Sequence, residues 1–180
     1  MKSSKLKKLC AVVLAATLST SLFISCGDSS AKGGSSSSNQ QLVFNLGEDP
    51  ETMDPTLNNS SGAGTMILNA FEGLMVLNEN DQPVEGAAES YEVSEDGLVH
   101  TYKLRKDVRW DNGDLVTAHD FVYAWQRIFK KKGSYYYMFA DGIASIQGAQ
   151  ELSDKIDAGE ELTDDDLNSM GVKALDGYTL

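Results

Sequence analysis

The residue types most often used for catalysis occur in this sequence without the spacing that catalysis requires. His100 and His119 are nineteen residues apart, one in a predicted strand and one near a predicted helix start, which favours polar packing over a metal or catalytic pair. Serine is abundant, but the G-x-S-x-G nucleophile motif and the G-x-x-x-x-G-K-[ST] phosphate loop do not occur. The many carboxylates single out no acid–base pair. We therefore predict a protein that is not an enzyme and uses no metal or cofactor.

The N-terminal segment has the composition of a secretion signal. Four lysines among the first eight residues precede a mainly apolar run that is short for a membrane-spanning helix. The run ends in residues 22–27, which resemble a bacterial lipobox with Cys26 as the cysteine that carries the lipid. We predict a lipoprotein signal peptide at residues 1–25 and lipidation of Cys26. The alternative is an ordinary signal peptide with an incidental cysteine.

The composition that follows predicts a flexible tether and an acidic domain. Residues 26–41 are rich in serine and glycine and cannot bury a core. Cleavage before Cys26 would leave one cysteine, so the mature chain would form no internal disulfide bond. The sequence has 27 acidic and 15 basic residues, a net charge of −12, which disfavours contact with nucleic acid phosphates. We expect no nucleic-acid partner and interpret the acidic residues as a solvated surface.

Residues 99–129 carry the densest local structure signals in the chain. Just before them, Glu-Asp-Gly at residues 95–97 predicts a tight hairpin turn, because Asp-Gly readily adopts positive φ angles. This turn joins strands predicted at residues 91–93 and 98–104. A second turn, with Asn-Gly at its centre, is predicted at residues 111–114.

The helix after the second turn is the best-determined element. Thr117 and Asp120 have the spacing of a capping box, and Asp120 places a negative charge at the positive end of the helix. Three lysines followed by Gly133 are typical of a helix C-terminus. The apolar residues between these signals recur at helical spacing, which predicts an amphipathic helix. They are Phe121, Val122, Ala124, Trp125, Ile128 and Phe129.

Shorter patterns predict the other elements. A buried first strand is predicted at residues 42–46, and a helix from Thr65. Residues 74–77 should form a strand and residues 82–88 a loop. The C-terminal part is predicted to contain a helix bearing Ile143, Ile146, Ala149 and Leu152, a short capped helix after Thr163, a strand at residues 172–175, a turn at Asp176-Gly177 and the start of a strand at residues 178–180.

Several motifs occur in an order and spacing that is more specific than any one of them. Residues 71–74 read F-E-G-L, residues 101–105 resemble T-F-x-L-R, and residues 116–125 resemble V-T-A-x-D-F-V-Y-S-W. Further motifs are M-D-P at residues 53–55, A-E-S-Y at 88–91, D-G at 96–97, W-D-N-G at 110–113 and G-V-K-A-L-D-G-Y-T-L at 171–180. Over about 130 residues the chain resembles family 5 of the bacterial extracellular solute-binding proteins, the oligopeptide-binding components of ABC importers.

This resemblance implies an α/β fold that is periplasmic-binding-protein-like type II, with two lobes that close on a ligand. Residues 42–60 would be the first strand and loop of the large lobe (lobe I). Residues 61–170 would form an extra α/β subdomain, and residues 171–180 would start the return to lobe I. The last predicted strand stops at Leu180, so we expect an N-terminal fragment without the second lobe.

The resemblance also implies where a ligand is contacted. In the family, bound peptide runs extended between the lobes and pairs through its backbone. Contacts from this chain would come from a polar loop after the M-D-P motif and from an aromatic cluster, namely Asn58, Asn59, Ser60, Ser61, Tyr135, Tyr136 and Tyr137. The alternatives are a solvent-exposed loop and packing within the subdomain. Trp110 and Trp125 are assigned to packing.

We therefore predict the substrate-binding component of an ABC importer, which binds extracellular oligopeptides and delivers them to a membrane permease. Its partners would be the peptide, the permease and ATPase subunits, and the membrane through Cys26. We expect a monomer that is lipid-anchored at the cell membrane and faces the extracellular side or the periplasm.

Other functions remain as alternatives to this prediction. They are a receptor of the same fold for a nickel chelate, haem or sugar, a surface lipoprotein without a transport role, and a secreted hydrolase. The hydrolase would need a nucleophile–base pair. Because half of the cleft would lie outside these 180 residues, we expect the chain alone to bind peptide weakly or not at all.

Overall fold

The computed structural model describes residues 43, 45, 47 and 49–180. The predicted signal peptide, the tether and Cys26 lie outside the described residues, as do three of the five positions of the strand predicted at residues 42–46. Within the described part of the chain, no helix combines the length and apolar character needed to cross a membrane.

The described chain contains helices and short antiparallel strands, which are joined by turns and irregular segments. The elements are α1 (Ser61–Ala70), β1 (Met75–Leu77), β2 (Pro83–Glu85), β3 (Ala88–Val93), β4 (His100–Leu104), α2 (Ala118–Lys130), a 3-10 helix (Tyr136–Phe139), α3 (Ala149–Asp157) and α4 (Asp164–Asn168). Strand β1 pairs with β2, and β3 pairs with β4. The mixed content agrees with the predicted α/β class.

The β3–β4 hairpin confirms the turn predicted at residues 95–97. Gly97 has a φ of +74°, and its N–H donates to the Ser94 carbonyl at 2.9 Å. The register places Tyr91 opposite Tyr102, and their rings stack with centroids 4.7 Å apart. An Asp-Gly turn can adopt this conformation at low cost, so the local sequence fixes the hairpin.

The last residues of the chain extend this sheet. Tyr102 donates its N–H to the Leu180 carbonyl at 2.9 Å, and Leu180 donates back at 3.0 Å. Lys103 and Thr179 form an antiparallel bridge beside them. The strand start predicted at residues 178–180 therefore lies along β4 as a third antiparallel segment.

Two helices begin at the predicted caps, and both caps are capping boxes. At α2, the Thr117 N–H and hydroxyl donate to the same oxygen of Asp120, at 2.7 and 2.9 Å. At α4, Thr163 makes the same two bonds to Asp166, at 2.8 and 2.7 Å. The Thr163 hydroxyl also accepts the Asp166 N–H at 3.1 Å. Each box satisfies backbone groups that have no partner inside the helix.

Helix α2 ends in a Schellman motif. Lys132 has a left-handed φ of +49°, and its N–H donates to the Phe129 carbonyl at 2.9 Å. The Gly133 N–H donates to the Ile128 carbonyl at 2.8 Å. These are the two bonds that define the motif. The helix thus closes at the predicted place, although Lys132 and not Gly133 takes the left-handed conformation.

Helix α1 starts four residues earlier than predicted. Ser60 caps it by accepting the Ala63 N–H at 3.3 Å. Ala63 is fully buried, so it anchors the first turn against the rest of the unit. Small residues at positions 61–64 look like a loop in sequence, but the cap and the burial of Ala63 compensate for the low helix propensity of Gly62 and Gly64.

The prediction of a loop throughout residues 82–88 was wrong, because Pro83–Glu85 forms strand β2. It pairs with β1 so that Val76 lies opposite Val84, and the Asn78 N–H closes the connecting turn at 2.9 Å from the Gln82 carbonyl. Pro83 stands at the first position of the strand, where a residue without an N–H is tolerated.

One C-terminal prediction was wrong in part, because helix α3 carries Ala149 and Leu152 but not the two predicted isoleucines, and a second was wrong. Helix α3 begins at Ala149, directly after Gly148 with its φ of +78°, so Ile143, in a turn, and Ile146, in an irregular segment, both lie before it. Residues 172–175 form no strand; the Leu175 N–H instead donates to Thr179 at 2.8 Å and closes the turn predicted at Asp176-Gly177. The apolar composition of this segment was therefore not sufficient to predict a strand, because a strand also needs a neighbour to pair with.

A single apolar cluster joins β4 to the three later α-helices. Its largest fully buried side chains are Phe129, Leu104, Leu152 and Met170. Trp125 packs against this cluster, as predicted, with its ring 5.7 Å from that of Phe139. Trp110 is 41% exposed, so the packing role predicted for it is at most partial.

Candidate ligand-binding site

The loop before α1 is a tight turn built around Asp54. The Asp54 carbonyl accepts the N–H groups of Leu57 and Asn58 at 3.1 and 2.9 Å, and its carboxylate accepts the Thr56 N–H at 3.0 Å. We call residues 54–58 the Asp54 turn. Pro55 fits here because the turn needs no N–H from that position.

The next residues connect the Asp54 turn to helix α1. The Asn58 side-chain oxygen accepts the Ser60 N–H at 3.0 Å and the Ser60 hydroxyl at 3.2 Å. Ser60 in turn caps α1. Two of the four residues predicted to contact ligand in this loop are thus engaged in holding it, whereas Asn59 and Ser61 are exposed.

Arg127 from the last turn of α2 fastens the Asp54 turn. Its Nη1 and Nη2 donate to the two carboxylate oxygens of Asp54 at 2.7 and 2.6 Å, and Nη1 also donates to the Thr56 hydroxyl at 2.5 Å. Both charged side chains are about three-quarters buried, with exposed fractions of 24% and 25%. We call these three residues the Asp54–Arg127 clamp.

The clamp shifts the titration of both charged groups. The hydrogen bond from Arg127 is the main cause that lowers the pKa of Asp54 to about 2. The same bond raises the pKa of Arg127. Both residues therefore stay charged across the physiological pH range, which is typical of a bidentate arginine–carboxylate pair.

The Asp54 turn also contacts the chain just after α2. A Cβ added to Gly133 would lie 2.3 Å from the Thr56 carbonyl oxygen and 3.2 Å from its Cγ2. The approach is closer than any side chain allows, so glycine is required here by space and not by its own φ angle. The Tyr136 N–H donates to the Gly133 carbonyl at 3.2 Å, which links this contact to the aromatic cluster.

The three tyrosines have different environments. Tyr135 and Tyr137 are 40% and 50% exposed, and their ring centroids are 6.4 Å apart. Tyr136 packs its ring against Phe129 and donates its hydroxyl to Asp157 at 2.5 Å, a bond that raises the pKa of Tyr136. The pair Tyr135 and Tyr137 is thus available to a ligand, and Tyr136 joins the core.

The structure therefore brings the two predicted segments to one end of helix α2. Thr56 meets Gly133, and the polar loop and the aromatic cluster begin within a few residues of that contact. The sequence did not reveal the clamp that holds them. The sequence features that could have indicated the clamp are Asp54-Pro55 in the M-D-P motif and Arg127, a charged residue among the apolar positions of a predicted helix.

Outside the two predicted segments, the described residues form an open groove but no cluster of metal-ligating side chains. Among the described residues, no group of three His, Cys, Asp or Glu side chains is arranged to hold a metal ion. An open groove of about 670 Å³ lies at another place, lined by residues 97–102, 144–147 and 171–173 together with Trp125, Leu175 and Leu180. Neither predicted segment contributes to the lining of that groove.

Known proteins of similar sequence bind oligopeptides. The family model described as bacterial extracellular solute-binding proteins, family 5 Middle, matches residues 82–180. The periplasmic oligopeptide-binding protein OppA of Haemophilus influenzae is 34% identical over 140 residues, which cover 78% of this chain and 24% of that protein. The oligopeptide-binding protein OppA of Bacillus subtilis is 32% identical over 180 residues, 97% of this chain and 31% of that protein.

Solved structures agree in fold. Haemophilus influenzae OppA in complex with the peptide RPPGFSPFR matches with a TM-score of 0.63 and 33% identity over 75% of this chain and 25% of that one. The Escherichia coli murein tripeptide binding protein MppA matches with a TM-score of 0.61 and 32% identity, over 73% and 24%. The fold is therefore periplasmic-binding-protein-like type II, as predicted.

The chain spans about a quarter to a third of the length of these curated relatives. The family match nevertheless covers more than half of the chain and includes the β3–β4 hairpin and every later helix. On these grounds the chain belongs to family 5 of the bacterial extracellular solute-binding proteins.

Proposed function

We propose that this chain is part of the substrate-binding component of an ABC importer that binds extracellular oligopeptides and delivers them to a membrane permease. The observation that carries the proposal is the surface at the end of α2, where Asn59, Ser61, Tyr135 and Tyr137 remain exposed while their neighbours are fixed. Several relatives bear the name of oligopeptide-binding proteins, and one was solved with a nonapeptide bound.

The chemistry of this surface suits an extended peptide. Amide and hydroxyl side chains offer both donors and acceptors to a peptide backbone, so they recognise it without reading its side chains. Tyrosine adds an apolar ring and one polar tip, which accommodates many residue types. Of the seven predicted residues, Asn59, Ser61, Tyr135 and Tyr137 would touch the peptide, and Asn58, Ser60 and Tyr136 would hold them.

The placement of the protein in the cell belongs to the same proposal. A signal peptide at residues 1–25 would direct export, and a lipid on Cys26 would anchor the chain at the outer face of the cell membrane. The tether at residues 26–41 would separate the folded part from the lipid surface. The permease and the ATPase would be separate chains, and the receptor would act as a monomer.

The domain scheme is also proposed on the resemblance. Residues 42–60 would belong to lobe I, residues 61–170 to the extra α/β subdomain, and residues 171–180 to the return to lobe I. Closure of two lobes around the peptide would then present it to the permease, a hinge motion found in binding proteins of this type.

Isothermal titration calorimetry of the full-length protein with a panel of short peptides tests the proposal. We expect Tyr137→Ala to weaken peptide binding about tenfold, equivalent to about 1.4 kcal/mol. Leu98→Ala is the matched control, because Leu98 is 80% exposed and lines the other groove. It should leave affinity unchanged.

Three results would contradict the proposal. Tight binding of a nickel chelate, haem or sugar without any peptide binding would assign a different solute. No binding of any solute would favour a surface lipoprotein outside transport. Loss of peptide affinity in Leu98→Ala but not in Tyr137→Ala would move the site to the groove.

A further inference from the structure

The Asp54–Arg127 clamp joins residues 73 positions apart through geometry that only arginine supplies. The guanidinium places one N–H on each carboxylate oxygen, and Nη1 reaches the Thr56 hydroxyl as well. A lysine ammonium has the same charge but cannot make two parallel bonds to one carboxylate. Three-quarters burial shields the pair from water, which makes such bonds stronger than those of an exposed pair.

From Asp54, a continuous series of hydrogen bonds leads to the polar loop. The Asp54 carbonyl fixes the N–H of Asn58 at 2.9 Å, Asn58 fixes Ser60 at 3.0 Å, and Ser60 caps helix α1 through Ala63 at 3.3 Å. Asn59 and Ser61 alternate with these bonded residues. Their side chains therefore take their position from the neighbours that the series holds.

A second connection leads from the clamp to the tyrosine pair. Arg127 lies in the last turn of α2, and the Schellman motif ties Gly133 to that turn through Ile128. The Thr56 backbone rests against Gly133, whose carbonyl accepts the Tyr136 N–H. Movement of the Asp54 turn would thus displace both the Asn59–Ser61 loop and the Tyr135–Tyr137 pair.

We propose that Arg127 is a positioning residue for ligand binding. Its two hydrogen bonds to the Asp54 carboxylate and its bond to Thr56 fix the Asn59–Ser61 loop relative to the Tyr135–Tyr137 pair, so that both can contact one extended peptide. This inference rests on the proposed function, since it concerns the same surface. Arg127 itself is engaged by Asp54 and Thr56 and acts through them.

Arg127→Lys in the full-length protein tests the inference with two separate readouts. The first is hydrogen–deuterium exchange of residues 53–63 without ligand, followed by mass spectrometry. We expect exchange in this segment to rise about tenfold, because Asp54, whose carbonyl accepts the Leu57 and Asn58 amides, is no longer held by two bonds from Arg127. The second is peptide affinity well below the melting temperature, where we expect a loss of about tenfold.

Arg105→Lys is the matched control. Arg105 pairs with Glu72 at 3.0 Å, but both side chains are 42% exposed and neither residue belongs to the Asp54 turn or to α2. This variant should change neither exchange in residues 53–63 nor peptide affinity by more than about twofold, because exposed pairs contribute little.

A second variant covers the case in which Arg127→Lys does not fold. Thr56→Val removes the hydroxyl acceptor of Arg127 in a buried side chain of similar shape, while the Thr56 N–H bond to Asp54 is kept. We expect a smaller change in the same direction, about threefold in exchange and affinity.

The outcomes separate the inference from the proposed function. A lower melting temperature with unchanged exchange and affinity in Arg127→Lys, or no change in Thr56→Val, would overturn the positioning role and leave the pair as a stabilising contact. If the unaltered protein binds no peptide, the proposed function fails. Exchange in residues 53–63 still decides whether the clamp holds the loop.

Discussion

The Asp54 side chain forms an ion pair with Arg127 and also stabilises a turn of the backbone. Its carboxylate accepts two bonds from Arg127 and one from the Thr56 N–H, all of which favour the ionised form. The pKa of Asp54 is accordingly lowered to about 2, below the value of about 3.9 expected in an unfolded chain. A group with a lowered pKa stabilises the folded state above its unfolded pKa and loses that contribution as the pH falls.

We predict a pH-dependent effect of Asp54→Asn. At neutral pH the variant should lose about 1.5–3 kcal/mol of unfolding free energy, because the charged bonds of Arg127 lose their partner. The difference from the unaltered protein should be constant above about pH 5 and shrink as the pH falls from about 4 towards 2. Urea unfolding at a series of pH values measures it.

Asp111→Asn serves as the control for this prediction, since Asp111 is exposed in the turn at residues 111–114. It should change the free energy of unfolding by less than about 0.5 kcal/mol. A constant difference between Asp54→Asn and the unaltered protein down to pH 3 would show that the clamp does not depend on the Asp54 charge.

At the scale of elements, the end of α2 and the Asp54 turn are in close backbone contact. The Schellman motif sets the direction in which the chain leaves the helix. Gly133 then passes so close to the Thr56 carbonyl that the site admits no side chain. The helix end and the turn are therefore placed by each other.

This contact predicts that Gly133→Ala is destabilising. The added methyl group would overlap Thr56 backbone and displace the Asp54 turn, at a cost of about 1–3 kcal/mol. Gly177→Ala is the control, because nothing lies within 4 Å of an added Cβ there. It should change stability by less than about 0.5 kcal/mol in chemical denaturation. Equal stability of the two variants would refute the close approach.

At the scale of the whole described unit, one apolar cluster unites the sheet and the later helices. Phe129 is fully buried within it, and its ring lies 6.1 and 5.9 Å from those of Tyr136 and Phe139. The same residue belongs to α2, which carries Arg127 on another side. The core thus supports the helix from which the clamp extends.

Phe129→Ala should therefore destabilise the protein by about 3–5 kcal/mol, through lost burial and the cavity left behind. Ile143→Ala is the control, since Ile143 is 59% exposed and lies in a turn. Thermal unfolding followed by circular dichroism compares them. A loss below about 1 kcal/mol in Phe129→Ala would mean that the cluster does not hold the unit together.

The sequence by itself determined the local elements. The Asp96-Gly97 turn, the capping boxes at Thr117 and Thr163 and the end of α2 follow from residues within a few positions of one another, so their backbone preferences are readable directly. Motif order was also sufficient to identify the family, and with it the fold class.

Only the tertiary structure decided how distant segments meet. Strand β2 forms because β1 lies beside it, residues 172–175 pair with none of the strands in the described part of the chain, and Asp54 meets Arg127 from 73 positions away. It also divided the predicted contact residues into exposed ones and ones that hold the site. Such outcomes depend on long-range packing and on competition for hydrogen-bond partners, which local sequence patterns do not encode.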